Sequence, residues 1–448
     1  MMLNDELSQK IWGQPKFHEE YKFLYLNSIK KELGLTYEQV DLSIVKRLLQ
    51  VAATFAGTKS WVYREKAYRI AISILELELD RDLLNNIPTM VRFILERMGY
   101  FPSRKLFSNY KLNALPLGLG LEIIAHEIEN TVHVTEGREV ILTDFQKSLW
   151  RYLGMGRSLS ISAPTSAGKS FTLQNYLISK FSNKSSYKAV YLVPTRALIN
   201  QVSSSINKAL NRVTNQRITV STVPLTQAEL GSDKILYILT QERLQLLSQN
   251  EEQFNFNLAI IDESQLLGES SRGIVLQTVV EKMLKKSDDM QIMFASPLTT
   301  NPDVLPHTFN IEEAEIINED ESPVSQNLIF IDTCPENPEN INISVYVEEK
   351  KVALGSISLK KQLLDPDSSL AALSWHFGKE AQNLIYASGP AACEKIALLL
   401  MEEVKQNLAV EEFTPDTELI EFSEFVKEHI HSGYTLAATL PYGVAFHY

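Results

Sequence analysis

The apolar positions of this chain change their period near residue 139. Before it they recur at spacings of three and four. "VDLSIVKRLLQVAATFAG" puts Leu42, Val45, Leu48, Leu49 and Ala52 on one face, with Gly57 just past the end, which predicts a helix and its stop. "REKAYRIAISILELEL" repeats the spacing with Ala67, Ile70, Ala71, Ile74, Leu75 and Leu77. "MVRFILERMGY" predicts a third helix with Gly99 as its C-cap. Residues 1–138 therefore read as an all-α N-terminal domain, a brace or docking surface. His126 and His133 flank "EIENTV" without the second His four residues on that a zinc-protease helix requires.

After 139, short continuous apolar runs alternate with helix-like segments. "SLSISA", "KAVYLV", "RITVST", "KILYIL", "NLAIIDE" and "QIMFAS" read as strands, separated by segments such as "GKSFTLQNYLISKF" and "TRALINQVSSSINKAL". Strands apolar on both faces and alternating with helices predict a doubly wound α/β domain with a parallel sheet over 139–325. The acidic "NEDESP" (Asn318 to Pro323) closes that unit. "NLIFID" and "NISVYVEE" read as strands able to pair, and "QNLIYASGPAACEKIALLLMEEV" as a strand and helix opening a second α/β unit within 326–448.

Length and composition narrow the class. At 448 residues and 44% hydrophobic content, the chain holds more than one domain with real cores. Two distant cysteines, Cys334 and Cys393, build neither a disulfide framework nor a thiolate metal site, and fit a reducing cytoplasm. The longest apolar run, Ala114 to Ala125, is too short for a bilayer and contains Glu122; the opening "MMLNDELSQK" is charged at once. The net charge of −12 is uneven. Residues 1–138 hold 18 basic and 17 acidic side chains (net +1), 139–325 hold 17 and 20 (net −3), and 326–448 hold 8 and 18 (net −10). An anionic ligand is expected against the first two segments.

The candidate chemistry starts at "APTSAGKS". It keeps the P-loop spacing, with Ala163 where the first glycine usually stands. Pro164, Thr165, Ser166, Ala167 and Gly168 would cradle phosphates on backbone N–H groups and a helix N-terminus. Lys169 would reach the β- and γ-phosphates, and Ser170 would hold Mg²⁺. "NLAIIDES" ends an apolar strand in Asp262 and Glu263: the first can hold Mg²⁺ through water, the second can orient and deprotonate an attacking water. Water activation points to hydrolysis of ATP rather than phosphoryl transfer.

Taken in order, "APTSAGKS", "VPTRALINQ", "LTQERL", "IIDESQ" and "FASPLTTN" resemble motifs I, Ia, Ib, II and III of superfamily 2 helicases, most closely the Ski2-like group, over about residues 140–300. The resemblance implies a RecA-like fold, ATP and Mg²⁺ as cofactors, and 3′-to-5′ movement on a single strand. It makes Gln146 of "LTDFQKSLW" the base-contacting amide, Gln265 the γ-phosphate sensor and Ser296 the coupling residue. Thr195, Arg196 and Thr240 become contacts to the phosphates of single-stranded nucleic acid. The two threonines also suit helix N-caps, and Arg196 suits a solvated helix start. "NLIYASG" resembles the motif IV strand of a second RecA-like lobe, and "YGVAFHY" the "GVAxHH" segment. Motifs V and VI are not present and no Arg follows Arg272, so a truncated lobe and weak or no hydrolysis by the chain alone are expected. The helical leading region resembles that of the helicase subunit of the Hachiman anti-phage system. That implies DNA over RNA and a nuclease effector as partner, the effector restrained by the helicase. A scaffold with little turnover is the alternative.

Overall fold

A computed structural model describes residues 2–77, 87–107, 115–213, 218–225, 233–249, 254–265, 270–287, 289–322, 324–334, 336–359, 361–407 and 415–447. Pro323 and Tyr448, the last residues of two quoted segments, lie outside them. The chain groups into two compact units: 1–25 with 40–325, and 26–39 with 326–448.

The helices that open the first unit include the three predicted from spacing, although Leu75, expected on an apolar face, is exposed. They are α1 (Met2–Trp12), α2 (Pro15–Glu32, which passes into the second unit), α3 (Leu42–Ala56), α4 (Trp61–Glu76), α5 (Ile87–Arg97) and α6 (Leu117–Asn130). Asp41 caps α3 by accepting the Ser43 N–H at 2.6 Å. Val45, Leu48, Leu49 and Ala52 of α3 pack with Ala67, Ile70 and Ile74 of α4 and with Val91 and Ile94 of α5 in one core. Gly99 ends α5 at φ +78°, and the Tyr100 N–H returns to the Leu95 carbonyl at 2.9 Å, as expected of a glycine C-cap. The all-α reading fails at its last residues. Residues 131–141 form the hairpin β1 (Thr131–Thr135) and β2 (Arg138–Ile141), in which Val132 and Val134 are buried while His133 points to solvent. The period-2 alternation of "TVHVT" before Glu136-Gly137 explains it.

The remainder of the unit is α7 (Asp144–Gly154), β3 (Leu159–Ser162), α8 (Lys169–Asn183), β4 (Tyr187–Leu192), α9 (Arg196–Val213), β5 (Thr219–Ser221), β6 (Lys234–Leu239), α10 (Gln241–Leu247), β7 (Leu258–Asp262), α11 (Ser270–Lys286), β8 (Gln291–Ser296), α12 (Val304–Thr308) and β9 (Glu315–Asn318). Its seven strands run in the order β5-β6-β4-β7-β8-β3-β9, every neighbouring pair parallel. Alternate residues serve alternate faces. Ala189, Tyr191, Leu236, Ile238 and Ile260 meet α8 and α9 through Leu173, Leu177, Ile199 and Ile206. Val190, Leu192, Ile235, Tyr237 and Ile261 meet α10 and α11 through Leu244, Leu247, Val279 and Met283. Strands buried on both faces become continuous apolar runs, which is why β3, β4, β6, β7 and β8 were legible; of the two edge strands, half-buried β5 was read from its alternation and β9 was not.

In the second unit, β10 (Ile329–Cys334), β11 (Asn337–Val347) and β12 (Lys350–Ser358) form an antiparallel sheet. They precede α13 (Pro366–Gly378), α14 (Pro390–Asn407), α15 (Thr417–His429) and α16 (Thr435–Thr439). "NLIFID" and "NISVYVEE" do pair. The strand expected at "NLIYAS" does not form: residues 382–388 are irregular, with Leu384 100% and Tyr386 93% exposed. A strand exists only against a hydrogen-bonded neighbour, and this segment has none among the described residues. No parallel sheet occurs in the described residues of 326–448.

Ile260, at the centre of β7, is fully buried. Ile260→Ala is expected to destabilise the first unit by about 3 kcal/mol, read as a lowered urea midpoint at unchanged slope.

Candidate nucleotide site

A parallel sheet ends all its strands on one edge, and the loops leaving that edge carry "APTSAGKS", "VPTRALINQ", "LTQERL", "IIDESQ" and "FASPLTTN". Between β3 and α8 the chain turns through Pro164, a single 3-10 turn over Thr165–Ala167, and Gly168 at φ +80°. A Cβ at Gly168 would lie 2.2 Å from Nε2 of Gln146, so both conformation and space demand glycine. Ala163, in the place of the first P-loop glycine, is fully buried in the core, and its N–H donates to the Ser296 carbonyl at 3.3 Å.

Lys169 is buried and donates from Nζ to the carbonyls of Ala163 and of Pro164, the latter at 3.1 Å. Burial lowers its pKa, and the charges of Asp262 and Glu263 oppose that shift. Asp262 ends β7. Its Oδ2 accepts the Tyr191 hydroxyl at 2.8 Å and its Oδ1 the Glu263 N–H at 3.1 Å. Burial raises the Asp262 carboxyl above its usual range, the Tyr191 hydrogen bond lowers it, and Glu263 adds to the rise. Glu263 sits at φ +53°, left-handed for a residue with a Cβ, at a cost on the order of 1 kcal/mol. Gln265 Nε2 donates to Glu263 Oε2 at 2.7 Å, fixing the carboxylate in that turn. Ser296 Oγ donates to the Ile161 carbonyl at 3.1 Å, and the Thr299 N–H donates to Ser162 Oγ at 2.9 Å, which stitches the segment after β8 to β3.

Gln146 lies behind the loop. Thr143 and Gln146 make a reciprocal capping box at the start of α7, with Oε1 accepting the Thr143 N–H at 3.1 Å. Gln146 Nε2 donates to the Ala167 carbonyl at 3.2 Å. Each end of the amide thus keeps one unused site, a lone pair on Oε1 and a hydrogen on Nε2. Beside it is a cavity of about 280 Å³, bounded by Tyr68, Tyr100, Phe145, Gln146, Ser166 and Glu321. Glu321 accepts from Tyr100 Oη at 2.6 Å and Arg64 Nε at 2.9 Å, and Asp144 Oδ1 accepts from Asn130 and meets His126 Nε2, both at 2.7 Å. Residues of α4, the end of α5 and the 3-10 turn after it therefore form one wall of this cavity, a contribution the local periodicity did not show.

The three residues expected at nucleic acid are placed differently. Thr195 and Arg196 are exposed at the start of α9, where Thr195 Oγ1 accepts the Leu198 N–H at 3.3 Å as an N-cap does. Thr240 precedes α10 but is buried, and its side chain makes no cap hydrogen bond. Tyr191, inside the apolar run "KAVYLV", gave no signal of its own in the sequence.

The donor set fits Mg²⁺, which keeps most of its waters and takes few protein oxygens: Ser170 is exposed at the start of α8, and Asp262 supplies one carboxylate. No cluster of three His, Cys, Asp or Glu occurs among the described residues, so a cage built from protein ligands alone is not what these residues form.

A parallel sheet with a P-loop, and an Asp-Glu pair on the same edge, define a P-loop nucleoside triphosphate-binding domain. Residues 143–302 match the DEAD/DEAH box helicase family. The chain is 22% identical over 267 residues to ATP-dependent DNA helicase Hel308 of Thermoplasma volcanium, covering 55% of this chain and 39% of that protein. It is 24% identical over 296 residues to ATP-dependent DNA helicase Hel308 of Pyrococcus horikoshii, covering 65% and 37%. It also overlays on the crystal structure of DUF1998 helicase MrfA at 17% identity and a TM-score of 0.45, covering 65% of this chain and 43% of that one. The chain spans about two fifths of the length of the curated relatives it matches. No helix among the described residues is long and apolar enough to cross a membrane.

Gly168→Ala is expected to abolish ATP binding measured by calorimetry, and adding Gln146→Ala should relieve the clash without restoring wild-type affinity, since the φ penalty stays.

Proposed function

We propose that the chain is the ATP-binding part of a superfamily 2 helicase or translocase that hydrolyses MgATP and acts on single-stranded DNA. The observation that carries the reading is the arrangement around Glu263: a carboxylate held by Gln265, next to Asp262, on the same sheet edge as the Lys169 loop. In this reading the phosphates draw Lys169 off the carbonyls of Ala163 and Pro164, and the loop N–H groups and α8 N-terminus take their remaining charge. Ser170 and Asp262 would hold Mg²⁺, which would offset the charge of the phosphates. Glu263 accepts a proton from the attacking water. The base occupies the cavity beside Gln146, whose unused donor and acceptor suit the edge of adenine.

The DNA preference draws support from the relatives named above as DNA helicases, and binding of an anionic strand to the first unit from the concentration of most of the acidic surplus in 326–448. Exposed Thr195 and Arg196 grip backbone phosphate without reading bases. A role in anti-phage defence, with a nuclease effector docked on the helices of residues 1–138, is the finer form of the same proposal. Its support is the resemblance of the leading region and an apolar stripe on α6, where Leu117, Leu121, Ile124 and Ile128 are exposed.

Glu263→Gln tests the hydrolytic assignment. Single-turnover ATP cleavage should fall at least about 100-fold while ATP binding persists; unchanged cleavage rejects Glu263 as the base. Arg196→Ala should weaken single-strand binding equally on every sequence and reduce the salt slope by about one, whereas a sequence-selective loss means that Arg196 reads bases.

A further inference from the structure

Tyr191 projects from β4 onto the sheet face that packs against α8, and it is fully buried. Its hydroxyl donates to Asp262 Oδ2 at 2.8 Å. A phenol carries one proton. Given to Asp262, that proton fixes the direction of the bond: the phenol donates and the carboxylate accepts.

The bond bears on a cation. Asp262 Oδ2 is engaged by the phenol, while Oδ1, which also receives the Glu263 N–H, retains a lone pair for a metal-bound water. Groups that orient metal ligands through hydrogen bonds are often worth as much as a ligand.

We infer that Tyr191 is a positioning residue for Mg²⁺: it sets the plane of the Asp262 carboxylate before the metal arrives. The inference rests on the proposed reading of this site as a MgATP site. Phenylalanine fills the same space without the hydroxyl, so Tyr191→Phe separates packing from positioning.

The full chain and its Tyr191→Phe variant are titrated with ATP in EDTA, and with Mg²⁺ at fixed ATP, following binding by calorimetry. The expected result is a Mg²⁺ midpoint raised about tenfold, with ATP affinity in EDTA unchanged. An unmoved Mg²⁺ midpoint overturns the inference, and so does an equal loss in EDTA, which marks a packing role. Wild-type chain that binds no ATP with Mg²⁺ removes the reading of the site itself; wild-type binding with an unmoved variant midpoint removes the role of Tyr191 alone.

Discussion

Everything in the candidate site depends on strand direction. In a sheet whose neighbours are all parallel, each strand releases its chain at the same edge, so groups far apart in sequence are delivered to one place by topology. β3 delivers the phosphate loop, β4 delivers Thr195 and Arg196, β7 delivers Asp262 and Glu263, and β8 delivers Ser296. The sheet's stability comes from apolar residues alternating between two helix layers, and that burial leaves the edge as the main place where polar side chains can act.

Much of this was legible because strands buried on both faces leave unmistakable apolar runs, and because Gly168, Lys169 and the Asp262-Glu263 pair stand at the ends of such runs. The misses share a cause. Thr240 stands where a surface phosphate contact is expected, yet the packing of α10 buries it, and a single sequence does not reveal that packing. Tyr191 counted as one more apolar residue, because only the fold shows that its hydroxyl ends beside Asp262. The segment "NLIYAS" has strand composition, but composition supplies no neighbour to pair with. The β1–β2 hairpin lay within a segment whose other residues have helical spacing.

Backbone strain is placed with similar economy. Gly168 occupies left-handed space at no steric cost, whereas Glu263 does so with a side chain attached, held by hydrogen bonds on both sides. That contrast separates a position selected for close backbone approach from one where the direction of a carboxylate matters more than local comfort.

The clasp at Glu321 bears on modularity. Arg64 and Tyr100 reach a carboxylate 257 and 221 residues further along the chain, and Asp144 at the first turn of α7 is held by His126 and Asn130 from the helix before it. A fragment cut at residue 139 would keep every strand of the parallel sheet. It would lose the partners of both acids and one wall of the cavity beside Gln146. The segment that matches the helicase family is thus continuous in sequence but not self-contained in structure, so a swap or fusion that transplants only the recognisable motifs leaves part of the cavity beside Gln146 behind.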